Sequence, residues 1–137
     1  MRIAISGATG LVGSALAEAL RAEGSEVVRL VRRDPEEADI LWDPTAGSLD
    51  AAALSALGDC SVVVHLAGEN IATGRWTADK KRRIRESRVH STRLLAESLA
   101  TLEQKPQALI SASAIGYYGD AGDQLLSESS PTGDDEA

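Results

Sequence analysis

Three glycines at fixed spacing, Gly7, Gly10 and Gly13, stand between the apolar run Ile3-Ala4-Ile5 and a stretch whose apolar residues recur with helical period. No other feature of this chain constrains the fold as tightly. A turn that leaves a strand and enters a helix at once is the first half of a βαβ unit, and such units build parallel sheets. Arg2 to Ser6 reads as a short buried strand. Val12, Ala15, Leu16, Ala19 and Leu20 follow at the spacing of one helix face, with Glu18, Arg21 and Glu23 off it and Gly24 as the stop. Val27 to Val31 is a second strand, so the whole unit fits in residues 2–31. The glycines also carry a chemical expectation. A pyrophosphate needs unobstructed backbone N–H donors at the positive end of a helix. Gly7 frees the turn off the strand, Gly10 lets the backbone approach phosphates, and Gly13 lets the helix pack close to the sheet. A glycine turn that binds nothing has the same spacing; its place between strand and helix is what favours a dinucleotide.

The alternation continues. Asp39 to Trp42 is a weak third strand between Asp34-Pro35 and Asp43-Pro44, and residues 50–58 form a short helix stopped by Gly58. Ser61 to Leu66 is a β-branched strand. Residues 69–76 are a loop. Thr77 caps a long helix to about Leu102, with Ile84, Arg88, Val89, Thr92, Leu95, Leu99 and Leu102 along one side. Pro106 ends it, and Ala108 to Ser113 is a fifth strand. Continuous apolar strands are expected to be covered on both faces. The fold class is therefore α/β, a Rossmann-type doubly wound parallel sheet, partial, of about five strands. Residues 1–119 form this domain; residues 120–137 read as an acidic loop leading to a further C-terminal part.

Charge narrows the partners. With 14 basic and 21 acidic residues the net charge is −7, which disfavours nucleic acid and anionic membranes. No apolar run approaches the roughly 20 residues of a membrane span. The strand at Arg2 leaves no room for a leader, and the single cysteine, Cys60, excludes an intrachain disulfide; both fit a cytoplasmic protein. Of the apolar residues 22 are alanine and none is phenylalanine, so the core must be built from small contacts.

Four further segments carry chemistry. Arg32-Arg33 ends the second strand, where a guanidinium would meet the 2′-phosphate of NADP(H) and an acid would select NAD(H). Asp34 follows at once, so NADP(H) is preferred and NAD(H) stays admissible. His65-Leu66-Ala67-Gly68-Glu69-Asn70 leaves the fourth strand at the edge where such sheets bind ligands; His65 reads as a core histidine, and Glu69 as a substrate-facing or simply exposed acid. Ser111-Ala112-Ser113 leaves the fifth strand, where a hydroxyl can hold a substrate oxygen. Tyr117 and Tyr118 have no lysine after them to lower a phenol pKa. Finally, Arg75, Lys80, Lys81, Arg82, Arg83, Arg85, Arg88 and Arg93 crowd one region. They read as a solvated face offset by acids in 120–136, with Arg88 turned toward the sheet to meet a cofactor or a buried acid.

Together Gly7-Ala8-Thr9-Gly10-Leu11-Val12-Gly13, His65-Leu66-Ala67-Gly68-Glu69-Asn70-Ile71, Ser87-Arg88-Val89-His90-Ser91-Thr92 and Ser113-Ala114-Ile115-Gly116-Tyr117-Tyr118-Gly119-Asp120 resemble the extended and atypical short-chain dehydrogenase/reductases, and more narrowly the YfcH-type (SulA-like) epimerase family. The resemblance implies an NADP(H) site in which Gly7, Thr9, Gly10, Leu11 and Val12 line the pyrophosphate and Arg32 and Arg33 take the 2′-phosphate. Leu66, Ala67 and Gly68 would back the ribose and nicotinamide. Ser111 and Ala112 would lie beside the nicotinamide, with Ser113 at the catalytic Ser/Thr position. The implied activity is that of a nucleotide-sugar epimerase, dehydratase or reductase acting on a small polar substrate, with homodimers common in the superfamily. The Tyr-x-x-x-Lys pair of that superfamily would fall near or beyond Ala137. Its absence from the chain keeps a second reading open, a regulatory module that holds NADP(H) without turnover.

Overall fold

The computed structural model describes residues 1–133. Five parallel strands form one sheet: β1 (Arg2–Ser6), β2 (Glu26–Val31), β3 (Ile40–Leu41), β4 (Val62–His65) and β5 (Ala108–Ser111), in the order β3-β2-β1-β4-β5. The α-helices are α1 (Leu11–Ala22), α2 (Ala51–Gly58) and α3 (Ala78–Thr101), and a 3-10 turn spans Ile115–Tyr118. This is the expected Rossmann-like α/β sheet. The order reverses at β1, so the β1 and β4 carboxyl ends flank the crevice where such sheets bind ligands.

Strand alternation sorts the core onto two faces. Ala4, Val28, Leu30 and Val63 point toward α2 and α3, where they meet Leu57, Leu94, Leu95 and Leu99. Ile3, Ile5, Val27 and Val64 point the other way, onto Ala17, Leu16 and Leu20 of α1. The middle of the sheet is thus covered on both faces, as its apolar runs require.

Five expectations are corrected. The buried line of α1 is Gly13, Leu16, Ala17 and Leu20, while Val12, Ala15 and Ala19 are exposed. The reason is Gly13: a Cβ there would lie 2.2 Å from the Gly7 carbonyl oxygen, and that close seat rotates the whole helix. On α3 the buried line runs Lys80, Ser91, Leu94, Leu95 and Leu99; Val89 is exposed. The third strand shrinks to Ile40–Leu41, and β4 stops at His65. All four β5 residues are exposed despite their apolar run: β5 is an edge strand paired with β4, and none of its residues joins either buried cluster.

Capping explains where the helices begin. Asp50 accepts the Ala53 N–H at 2.7 Å to start α2, and Thr77 accepts the Lys80 N–H at 3.2 Å to start α3. Helix α1 starts from Gly10 with no side-chain cap and no acid in its first turn. After the 3-10 turn the described chain carries neither helix nor strand through Gly133, and the acids at 134–136 lie outside the described residues.

Candidate functional site: a cleft at the carboxyl ends of the strands

A cleft of about 900 Å³ opens across the carboxyl ends of β1, β2 and β4. Its floor is the Gly7–Gly10 turn, its outer wall is Arg32, Arg33, Trp42 and Pro44, and its inner wall is Leu66 to Asn70. That is the upper range of small-molecule sites, so it has room for a dinucleotide rather than a single small group.

The glycine turn is shaped by contact with β4. Gly7 sits at φ +73°, and a Cβ there would lie 2.8 Å from the Ala67 nitrogen and the Leu66 carbonyl carbon. Only glycine satisfies both the left-handed backbone and the contact. The turn closes with the Gly10 N–H donating to the Gly7 carbonyl at 3.0 Å. Beyond it the uncapped α1 N-terminus faces the cleft. Leu11 and Val12 turn their side chains to solvent at 90% and 66% exposure, so neither fills the space before the first-turn N–H groups. Open helix-start donors at the end of a cleft are what a phosphate needs.

Arg32 and Arg33 are exposed at the outer wall. The loop that carries them is fixed from below. Arg29 of β2 donates to both carboxylate oxygens of Asp39 at 2.8 and 2.5 Å, and its Nη2 reaches Glu36 at 2.9 Å. The Asp39 side chain is 5% exposed, and the Arg29 hydrogen bonds hold its pKa below the ordinary carboxylate range. This clamp folds residues 32–39 back over β2 through a left-handed Asp34, φ +49°.

His65 is a core histidine with a fixed proton order. Ser91 donates its hydroxyl to the Ser87 carbonyl at 2.5 Å, so Ser91 Oγ accepts from His65 Nε2, 2.9 Å away. That leaves His65 Nδ1 to accept the Ser6 hydroxyl at 2.6 Å, while Ser6 Oγ accepts the Ala67 N–H at 3.4 Å. Burial lowers the His65 pKa, which favours the neutral ring that this order requires. The relay ties β1, β4 and α3 together directly beneath Ala67.

Glu69 is not a free loop acid. Its carboxylate meets Lys80 Nζ at 2.9 Å and Arg83 Nε at 3.8 Å, and its N–H donates to Ser87 Oγ at 2.9 Å. Lys80 holds its pKa below the usual range. Lys80 itself is 5% exposed, which corrects its expected place on a solvated face. Glu69, Asp79 and Glu86 meet the α3 cations; the described tail acids Asp120, Asp123 and Glu128 pair with none of them, and the acids at 134–136 lie outside the described residues.

On the far side of Leu66 and Ala67 lies a smaller concavity of about 190 Å³. Arg88, Thr92, Ser111, Ala112 and Ser113 line it, so the structure separates Arg88 from the cleft that holds the other basic candidates. Ser111, Ala112 and Ser113 are exposed. Tyr117 and Tyr118 pack edge to face at 5.1 Å and serve the local turn. Sequence reasoning missed Ser6, Ser87 and Ser91 as the relay and Trp42 and Pro44 as the outer wall. The i, i+4 pair Ser87/Ser91 on one helix face was the available signal for the relay.

The comparisons agree with this fold. The model of the NAD dependent epimerase/dehydratase family matches residues 3–136. An epimerase family protein of Mycobacterium tuberculosis is 42% identical over 132 residues, 96% of this chain and 42% of that protein. The crystal structure of a nucleoside-diphosphate sugar epimerase from Corynebacterium glutamicum is 42% identical with a TM-score of 0.80, over 98% of this chain and 27% of that one. The human epimerase family protein SDR39U1 (isoform 2), crystallised with NADPH, is 33% identical with a TM-score of 0.82, over 99% of this chain and 44% of that one. The chain spans about two fifths of the length of the curated relatives it matches.

Proposed function

This chain belongs to the NAD dependent epimerase/dehydratase family, and on that premise we propose that it is the NADP(H)-binding portion of a nucleotide-sugar epimerase, dehydratase or reductase working in the cytoplasm. One observation carries the reading: a single cleft joins the uncapped start of α1 to the Arg32-Arg33 pair. The glycine turn is packed against the chain's own backbone, and the uncapped helix start beyond it is left open by the exposed Leu11 and Val12, so the residues fit the cofactor. Backbone N–H groups of Leu11 and Val12, with Gly7, Thr9 and Gly10, would hold the pyrophosphate. Arg32, with Arg33 beside it, would take the 2′-phosphate through charge-assisted hydrogen bonds. Leu66, Ala67 and Gly68 would back the ribose and nicotinamide, and Ser111 and Ala112 would flank them. The bound nicotinamide supplies hydride chemistry. Ser113 would hold the reacting oxygen of a small polar substrate by a hydrogen bond.

Titration of the chain with NADPH and NADH, read by nicotinamide fluorescence, tests the cofactor reading. NADPH is expected to bind more tightly. Arg32→Ala should cost NADPH about tenfold or more, since a hydrogen bond to a charged group contributes roughly 1.5–3 kcal/mol, and should leave NADH unchanged. Tighter binding of NADH, or an Arg32→Ala variant with full NADPH affinity, overturns the assignment. Product analysis on a panel of nucleotide sugars tests turnover, because an epimerisation that regenerates its cofactor gives no net absorbance change.

A further inference from the structure

The cations of α3 are held in three different ways. Lys80, Arg82 and Arg83 each meet a carboxylate. Lys81, Arg85 and Arg93 are exposed, with no side-chain hydrogen bond among the described residues. Arg88 belongs to neither group. Its guanidinium is pinned, yet no carboxylate among the described residues pairs with it. Nη1 donates to the Ile84 carbonyl at 3.1 Å and to the Glu69 carbonyl at 3.3 Å, and Nη2 donates to the same Glu69 oxygen at 3.3 Å. Neutral carbonyls orient the group without cancelling its charge.

Gly68 provides the seat. A Cβ there would lie 3.0 Å from Arg88 Cζ and 3.2 Å from both terminal nitrogens, so the guanidinium rests against the Gly68 backbone where any side chain would stand. The residue remains exposed, and it opens onto the smaller concavity with Thr92, Ser111 and Ser113. A fixed, uncancelled guanidinium beside hydroxyl groups suits recognition of a planar or tetrahedral oxyanion, for which arginine's fork geometry is best matched.

We propose that Arg88 anchors an anionic group of the substrate, a carboxylate or a phosphate, in the concavity between β4 and β5. The cofactor's own phosphates are the other source of that chemistry, and the geometry favours the substrate. Arg88 lines the smaller concavity and not the cleft containing the glycine turn, and Leu66 and Ala67 form the wall between them. About 190 Å³ admits a small anionic group at the edge of the nicotinamide that Ser111 and Ala112 would flank, and not the pyrophosphate that the glycine turn would hold. The inference rests on the dinucleotide reading of the larger cleft for its choice between the two sources. Anchoring there would set the substrate beside Ser113, which makes Arg88 a determinant of substrate class.

The test follows the Arg88 Nε–H resonance in ¹⁵N-labelled chain with NADPH bound, identified by its loss in Arg88→Lys. Glycolate and inorganic phosphate are titrated at constant ionic strength, with chloride as the reference. A saturable shift with glycolate or phosphate, absent with chloride, is expected, together with shifts of the Ser111 and Ser113 amides. Those amide shifts should disappear in Arg88→Met. Gly68→Ala, which displaces the guanidinium without removing it, should weaken them about tenfold while circular dichroism reports an intact fold. Two results overturn the proposal. In one, NADPH alone moves the resonance, abolishes the anion response and binds more weakly to Arg88→Met, making Arg88 a cofactor contact. In the other, no anion moves it and Arg88→Met lowers only the melting temperature, making it a structural strut. A chain that fails to bind NADPH but still responds to glycolate sinks the cofactor reading and leaves the anion site standing.

Discussion

Val63 in the middle of the sheet is fully buried, whereas Leu109 and Ile110 on the neighbouring strand are 36% and 55% exposed. Both strands are apolar, parallel and in register, Val63 opposite Leu109. The difference lies in what covers them. Helices α2 and α3 close one face of β1, β2 and β4, and α1 closes the other. No β5 residue belongs to either buried cluster. The same division runs through the site. Around the large cleft, Gly7 is wedged against Leu66 and Ala67, and the Ser6–His65–Ser91 relay braces the floor. At β5 the hydroxyls of Ser111 and Ser113 have no hydrogen-bond partner among the described residues. The half proposed to bind cofactor is therefore preorganised by contacts internal to the chain, whereas in the half proposed to meet substrate Arg88 is held and the β5 hydroxyls are not. Affinity for a cofactor depends on the first and turnover on both.

That contrast can be broken most directly in the core. Leu95→Ala should cost about 2–5 kcal/mol in urea unfolding, because Leu95 is fully buried between α3 and the sheet. Ile110→Ala on β5 should cost only about 0.5 kcal/mol, the usual size of an exposed change. Equal costs would mean that the β5 face is covered in solution. Gly13→Ala comes next, at about 1–3 kcal/mol, since its new Cβ would press on the Gly7 carbonyl 2.2 Å away. It should also weaken NADPH binding, and unchanged affinity would separate the turn's packing from its proposed function.

The relay gives a pH test with a definite sign. His65 has a lowered pKa in the folded state, so below about pH 6.5, the ordinary histidine value, the unfolded chain takes up a proton that the folded chain does not. Stability is full above that pH and falls as pH drops through it toward the folded value. His65→Gln should flatten the fall between about pH 7.5 and 5.5. An identical slope would place the responsible group elsewhere. The Asp39 carboxylate, lowered by Arg29, starts to lose its contribution only as pH falls through the ordinary carboxylate range, so its loss sets in at lower pH than that of His65. The smallest effect belongs to the exposed ion pairs of α3. Arg82→Ala, which breaks contacts to Asp79 and Glu86, should change stability by no more than about 1 kcal/mol.

Much of this was legible beforehand, for local reasons. The glycine spacing, the apolar strands and the caps Asp50 and Thr77 act through neighbouring residues, so the sequence carries them openly. Helix faces were less legible. The stripe through Val12, Ala15 and Ala19 failed because Gly13 seats against Gly7, a contact that hydropathy does not weigh. Lys80 was misplaced because its burial depends on Glu69, eleven positions away and on another element. The site divided in the same manner: the Gly7–Val12 turn, Arg32 and Ala67 stood out as strand-end motifs, while Ser91 and Trp42 join the site only through pairing in three dimensions.

The sequence by itself determined the parallel alternation, the glycine turn and the places where phosphates and a reacting oxygen could be met. Short-range sterics and periodicity are sufficient for that, since each is written within a few residues. Tertiary structure alone decided that His65 is neutral and bonded on both sides, that Glu69 is spoken for by Lys80, and that Arg88 stands across the Leu66-Ala67 wall from Arg32. Charge and hydrogen bonding at these residues depend on which groups distant in sequence are brought within a few ångströms, and only the packed sheet fixes that.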